Sequence, residues 1–310
     1  MTCADARGAG RRRRVGAPAG AVAAAFVLLV AGCAASPAGP AGSGTRSSPV
    51  SPVPAVAVPR PDHVVVVVEE NKSYADVIGR TAEAPFINTL AAQGASFTRS
   101  FAVAHPSQPN YLALFSGSVQ GVTDDSCPHA FSTPDLGSAL LAAGLTFAGY
   151  SEDLPGAGYT GCGSGGYARK HNPWVDFGAL PPGVNLPFSA FPHDYAALPA
   201  VSFVVPNLTN DMHDGSVTQG DTWLKDNLAG YADWARTHNS LLVITWDEDD
   251  GSQDNRIPTV VVGQQVNPGT YDERTDHYRL LRTLEDAYGL HPVGASAGVT
   301  AVGDIWRPAP

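Results

Sequence analysis

Residues Asp62 to Asn71 read DHVVVVVEEN, five consecutive valines that run straight into two glutamates and an asparagine. β-Branched side chains suit an extended backbone, and a strand with one wet face would alternate apolar and polar positions. An unbroken apolar run means that both faces are covered. That is the condition of a central strand in a parallel sheet with helices above and below it. The fold class then depends on whether the rest of the chain supplies those helices.

It does. APFINTLAAQGASFTRSFA predicts a helix closed by Gly94 and followed by an edge strand, and NYLALFSGS predicts a short helix. DLGSALLAAGLTFAGYSED repeats the order of helix, glycine stop and strand. VSFVVPN (Val201 to Asn207) and SLLVITWDEDDG (Ser240 to Gly251) contain buried strands, with a helix over Gly220 to Arg236 between them. IPTVVVG is a further strand, and HYRLLRTLEDAYGL is a closing amphipathic helix that stops at Gly289. Residues 151–200 are rich in Gly and Pro and read as loops forming a cap or rim. The expected architecture is α/β, a mostly parallel central sheet with helices on both faces and no internal repeat.

The chain of 310 residues starts differently from the way it continues. Arg11 to Arg14 precede a short apolar run, Ala21 to Gly32, too short to span a bilayer comfortably. The run ends in LVAGC, so residues 1–32 read as a lipoprotein signal peptide and Cys33 as the lipidated residue. Residues 33–60 are a Pro/Ala/Ser-rich flexible tether with too little apolar surface to fold. Residues 61–310 form one domain. The expected location is exported, either secreted or anchored to the cell membrane through Cys33, and the expected state is a monomer.

Five Lys or Arg and one Asp or Glu precede Cys33, which leaves 14 basic against 28 acidic residues, a formal charge of −14. A chain this acidic lacks the basic patches of nucleic-acid binding. An anionic substrate would need a metal or a local cationic cluster. Only Lys72, Lys170 and Lys225 exist among lysines, and Arg169-Lys170-His171 is the best candidate cluster. Cys127 and Cys162 lie in polar loops of an exported domain and read as a disulfide.

Acids recur where strands end. The valine strand runs into Glu69, Glu70 and Asn71; VSFVVPN runs into Asn210, Asp211, His213 and Asp214; SLLVITW runs into Asp247, Glu248, Asp249 and Asp250. Asp276 and His277 precede the last helix. Ligands of open α/β sheets bind beyond the carboxyl ends of strands. Crowded carboxylates repel unless a cation joins them, and oxygen-rich sets with an occasional imidazole suit Mg, Ca, Mn or Zn. EF-hand spacing is absent. In HPSQPNYLALFSG, Pro106 and Pro109 stiffen the backbone around Ser107 at a helix start, where free N–H groups favour phosphate. A serine beside a divalent ion can act as a nucleophile without a histidine base. His105 is open between chemistry and support.

HVVVVVEENKSY, HPSQPNYLALFSG, ARKHNPW, NDMHDG, ITWDEDDG and HYRLLRTLEDAYGL, in this order, resemble the bacterial phosphoesterase family of acid phosphatases and phospholipases C. The nearest branch is the secreted acid phosphatases acting on phosphatidylinositol 3-phosphate. The likeness covers nearly all of residues 62–292, and the family resembles the alkaline-phosphatase superfamily. The resemblance implies an alkaline-phosphatase-like fold and a divalent metal held by Glu70, Asn71, Ser107, Asp247 and Glu248. It implies Ser107 as the nucleophile, with a phosphoserine intermediate. Asn110, Lys170 and His171 would hold the phosphoryl oxygens. His213 or His277 would protonate the leaving alkoxide, or bind a second metal with Asp211. Glu69 against Glu70, and Asp249 or Asp250 as extra ligands, stay open.

The expected activity is extracytoplasmic phosphomonoester hydrolysis on a phosphorylated small molecule or phospholipid. A phospholipase C-type phosphodiesterase is the alternative, and a non-catalytic metal- or anion-binding lipoprotein a further one. The C-x-P-x-R sequence of sulfatases is missing.

Overall fold

The structure is a computed structural model that describes residues 57–307. The predicted signal peptide, Cys33 and all but the last residues of the predicted tether lie outside the described residues.

The main sheet has eight strands: β1 (His63–Glu69), β2 (Ala95–Phe97), β4 (Phe147–Ser151), β7 (Asn185–Pro187), β8 (Val201–Val205), β9 (Ser240–Trp246), β10 (Thr259–Gly263) and β11 (Gly269–Tyr271). Their order is β11-β2-β10-β9-β1-β8-β4-β7. Two satellite pairs complete the strands, β3 (Ser100–Phe101) with β12 (Thr275–Asp276), and β5 (Gly163–Ser164) with β6 (Tyr167–Ala168). The valine strand lies in the middle, parallel to β8 on one side and β9 on the other. Only β10 runs against the rest of the sheet, since β9 returns through the acidic 247–258 loop with no crossover helix.

Helices α2 (Pro85–Gln93) and α5 (Val217–Ala235) cover one face, after the short α1 (Tyr74–Val77); α3 (Ser107–Ser116), α4 (Leu136–Ala142) and α6 (His277–Tyr288) cover the other. Side chains alternate along β1. Val64, Val66 and Val68 enter the core with Tyr111, Leu114 and Leu281, while Val65 and Val67 enter the core with Leu224, Leu228 and Ile244. All five valines are buried, each contributing about 2 kcal/mol of apolar burial. The unbroken apolar run is thus explained by two covered faces.

Several boundaries differ from expectation. β2 is not an edge strand, because β11 pairs outside it through the Gly269–Tyr271 register. α5 begins at Val217, not Gly220, because Ser216 and Gln219 form a reciprocal capping box. α3 begins at Ser107, not Asn110. Pro109 fits inside its first turn, where an N–H would have no intrahelical acceptor. The 151–200 stretch is mostly short turns as expected, yet β7 within it joins the sheet as an outer strand. No helix among the described residues is long and apolar enough to cross a membrane.

The same alternation that buries the valines buries Glu69. Its side chain follows Val65 and Val67 towards α5, and neither carboxyl oxygen has a hydrogen-bond partner. Burial first, then Asp211 and Glu70, raise it well above its ordinary value of 4.5, so the folded chain holds this proton to higher pH than the unfolded chain does. The unfolded chain ionises it near that ordinary value. Stability from this group is therefore complete in acid and falls as pH rises above the unfolded value. Glu69→Gln should melt close to wild type near pH 4 and above it at pH 7, the gap widening by up to about 1.4 kcal/mol per pH unit. Thermal melts at both pH values read it; equal gaps at the two would contradict the protonated state.

Candidate active site

The acids stand one residue past the ends of β1 and β9. Glu69 is level with Trp246 in the parallel ladder, and the ladder continues through Asp247 N–H donating to the Glu69 carbonyl at 2.9 Å. Glu70 N–H donates to the Asp211 carbonyl at 2.7 Å, which brings the segment after β8 alongside. Alternation then decides between the two glutamates: Glu70 follows Val66 and Val68 towards α3, opposite to Glu69. Asn71 turns the chain away in the left-handed region (φ 52°), a conformation asparagine tolerates.

Ser107 is the first residue of α3 and is 2% exposed. Its hydroxyl lies 2.9 Å from Glu70 Oε2 and 3.1 Å from Glu248 Oε1. One turn on, the Tyr111 hydroxyl donates to Glu70 Oε1 at 2.7 Å. Asn71 N–H donates to Asp247 Oδ1 at 3.2 Å, and the Asn71 amide donates to Glu70 Oε2 at 3.1 Å.

Burial raises the Asp247 carboxyl well above the carboxylate range, and Glu70 and Glu248 add to it. Burial also raises Glu248, opposed by His105. Burial alone would raise Glu70, but His171, the Tyr111 hydroxyl and Lys170 outweigh it and bring it down to about 2. Asp247 Oδ2 is buried without a hydrogen-bond partner. Three acids, a hydroxyl and an asparagine around one point, with an orphaned carboxyl oxygen among them, are an oxygen donor set that fits a hard divalent cation. Glu70, His171 and His213 also place donor atoms within 4.8 Å of one another, a group able to hold a metal ion.

Histidines and one lysine form the other wall. His171 is buried, with Nε2 2.9 Å from Glu70 Oε1 and Nδ1 3.2 Å from Asp211 Oδ2. Burial would lower that imidazole, but Glu70 and Asp211 outweigh it and hold it up at about 9. Burial raises Asp211, opposed by His171. His213 Nδ1 pairs with Asp214 at 2.8 Å, and its Nε2 lies 3.3 Å from Lys170 Nζ. Lys170 Nζ donates to Asp125 Oδ2 at 2.8 Å. His105, whose side chain is 49% exposed, has Nδ1 against Glu248 Oε2 and Nε2 3.6 Å from Asp249 Oδ1.

The structure thus brings together Glu70, Asn71, Ser107, His105, Lys170, His171, Asp211, His213, Asp247 and Glu248. Asn110 and His277 are placed differently. Asn110 is buried, accepts from the Val103 and Ala104 amides, and donates to the Ala104 and Pro106 carbonyls. These four bonds saturate the side chain, which shapes the turn before Ser107 instead of facing a phosphoryl group. His277 is buried behind the acids, its Nε2 2.6 Å from the Asp247 carbonyl, and burial lowers its pKa. Its other ring nitrogen, Nδ1, is buried without a hydrogen-bond partner.

Arg169 also leaves the expected cationic cluster. It is buried, paired with Asp176 at 2.8 Å, and donates to the Thr160 and His129 carbonyls. Asp249 accepts from the amides of Gly251, Gln253 and Asn255, and Asp250 from Ser73 and Ser252, so these acids organise their own loop. Cys127 and Cys162 are joined as a disulfide.

Tyr111 carries a functional contact that the sequence reading passed over as part of an apolar helix. The available signal was its place four residues after Ser107, on the same helix face.

A solved protein of the alkaline phosphatase superfamily from Vibrio parahaemolyticus superposes with a TM-score of 0.54 at 13% identity, over 80% of this chain and 72% of that one. The fold is therefore the alkaline-phosphatase-superfamily fold. The phosphoesterase family model matches residues 80–291. A phosphatidylinositol-3-phosphatase of Mycobacterium tuberculosis is 56% identical over 255 residues, covering 81% of this chain and 85% of that protein. A phosphate-repressible acid phosphatase of Penicillium chrysogenum is 32% identical over 67% of this chain, which spans only 55% of the fungal protein. The chain belongs to the phosphoesterase family, enzymes that hydrolyse phosphoric esters.

Tyr111→Phe removes one donor from a buried carboxylate and leaves packing intact, a loss of about 1–3 kcal/mol. Its kcat/KM on para-nitrophenyl phosphate should fall by about tenfold or more, with a lower melting temperature. Wild-type kinetics in this variant would show that the hydroxyl does not support Glu70.

Proposed function

We propose that the chain is a metal-dependent phosphomonoesterase that works through a phosphoserine intermediate on Ser107. The observation that carries this reading is the Ser107 hydroxyl at the first position of α3, within hydrogen-bond distance of both Glu70 and Glu248. The Lys170 and His171 cations supply positive charge beside it. Glu70, Asn71, Ser107, Asp247 and Glu248 would hold the divalent cation, which when bound lowers the pKa of the serine hydroxyl and offsets substrate charge.

In the first step Ser107 Oγ attacks phosphorus while its proton passes to a neighbouring carboxylate. The P–O bond to the substrate alcohol breaks, and His213 protonates the departing alkoxide. In the second step His213 takes a proton from water, the water oxygen attacks phosphorus, the bond from phosphorus to Ser107 Oγ breaks, and the carboxylate returns its proton to Oγ as inorganic phosphate leaves. His213 suits this role better than His277, being partly exposed at the mouth. The 56% identity to a phosphatidylinositol-3-phosphatase supports a phosphoinositide monoester as substrate. An extracytoplasmic site is supported by the Cys127–Cys162 disulfide, a bond of oxidising compartments, and lipidation of Cys33 by the LVAGC sequence alone.

Ser107→Ala should lower turnover of para-nitrophenyl phosphate on the order of 10³-fold or more while the chain stays folded by circular dichroism. Turnover near wild type would overturn the nucleophile assignment. Chelation should abolish activity, and one of Mg, Ca, Mn or Zn should restore it; insensitivity to chelator would reject the metal. Cys33→Ser should move the full chain from the membrane to the soluble fraction, and unchanged fractionation would count against lipidation.

A further inference from the structure

We propose that Asp125 is a positioning residue of this site, its carboxylate tying the Lys170 ammonium to the first turn of α3. The proposal rests on the hydrolase reading above and extends it to a residue with no place in the acidic cluster.

Asp125 is shared between two donors. Its Oδ1 accepts from the Gln108 amide at 3.0 Å, and its Oδ2 accepts from Lys170 Nζ at 2.8 Å. Gln108 follows Ser107, so a single carboxylate links the helix of the nucleophile to the lysine on the facing wall. Lys170 Nζ thereby stands 3.3 Å from His213 Nε2. Lysine is a point charge on a flexible stem, and it needs an anchor to hold one position. The neighbouring Asp124 does not provide one, since it turns outward to Ser126.

The segment that carries Asp125 is itself held in place. Residues 122–131 form no helix and no strand of the main sheet. Three ties fasten them to the segment that carries Lys170. Cys127 is bonded to Cys162, Phe131 N–H donates to the Asp176 carbonyl at 2.6 Å, and Arg169 Nη2 donates to the His129 carbonyl at 3.0 Å. The Arg169–Asp176 ion pair, buried beneath them, makes the two segments one block. Asp125 and Lys170 therefore approach the active site together, and the contact with Gln108 sets the position of the block against α3.

The test is a double-variant cycle on the full chain, with para-nitrophenyl phosphate as substrate and melting temperature as the fold control. Asp125→Ala and Lys170→Ala should each lower kcat/KM by about tenfold or more, because a misplaced charge is nearly as harmful as a missing one. In the Lys170→Ala background, Asp125→Ala should change kcat/KM by less than about twofold, since its effect acts through the lysine. The same loss in both backgrounds, or no loss in wild type, would overturn the proposal. If the alanine variant fails to fold, Asp125→Asn takes its place in the cycle. Asp125→Glu should recover part of the activity, and recovery by Asn equal to that by Glu would also overturn the role. Absence of turnover in the wild-type chain would instead overturn the hydrolase reading, and this role with it.

Discussion

Four carboxylates, Glu70, Asp211, Asp247 and Glu248, meet out of water at the ends of three adjacent strands, and the surrounding structure answers that charge. Desolvation works against every one of them and mutual repulsion adds to it. His171 lies between Glu70 and Asp211, Tyr111 and Ser107 turn their hydroxyls to Glu70, and His105 sits against Glu248. Asp247 keeps one oxygen without a partner, the place where a cation is most needed. Residues that satisfy a site of this kind are chosen for charge at the expense of stability.

The sheet makes such crowding possible. Parallel strands deliver their carboxyl ends to the same edge, and β8, β1 and β9 are neighbours, so their loops share that edge. Strand alternation then sorts the acids, turning Glu70 towards α3 and burying Glu69 on the opposite face. α3 closes the arrangement by starting with Ser107, with the saturated Asn110 shaping the turn that leads into it. The antiparallel β10 leaves the 247–258 loop room to fold on itself, and Asp249 and Asp250 hold that loop through backbone amides.

Much of this was legible in the chain. The valine run pointed to a doubly covered central strand because it is both β-branched and apolar at every position, and acids after three strands marked the ligand edge. The roles of Asn110 and His277 were not legible. Both residues stand in the right motifs, but the whole Asn110 amide and one His277 nitrogen are committed to backbone groups that no motif displays. Arg169 misled for the same reason: a cation in a cationic tripeptide, it is buried beneath the site and paired with Asp176. Tyr111 was hidden inside an apolar helix, where its hydroxyl looked like part of a packing surface.

Local patterning alone determined the class of fold, the strand edge where the acids gather and the nearness of Ser107 to a helix start, since alternation, propensity and helix termini act over a few residues. Tertiary structure alone decided which glutamate faces Ser107, that β2 is interior and β10 reversed, and which polar side chains remain free to meet a ligand. Those outcomes depend on pairing between segments far apart in sequence. The contact between residue 277 and residue 247 exists only once the chain has closed.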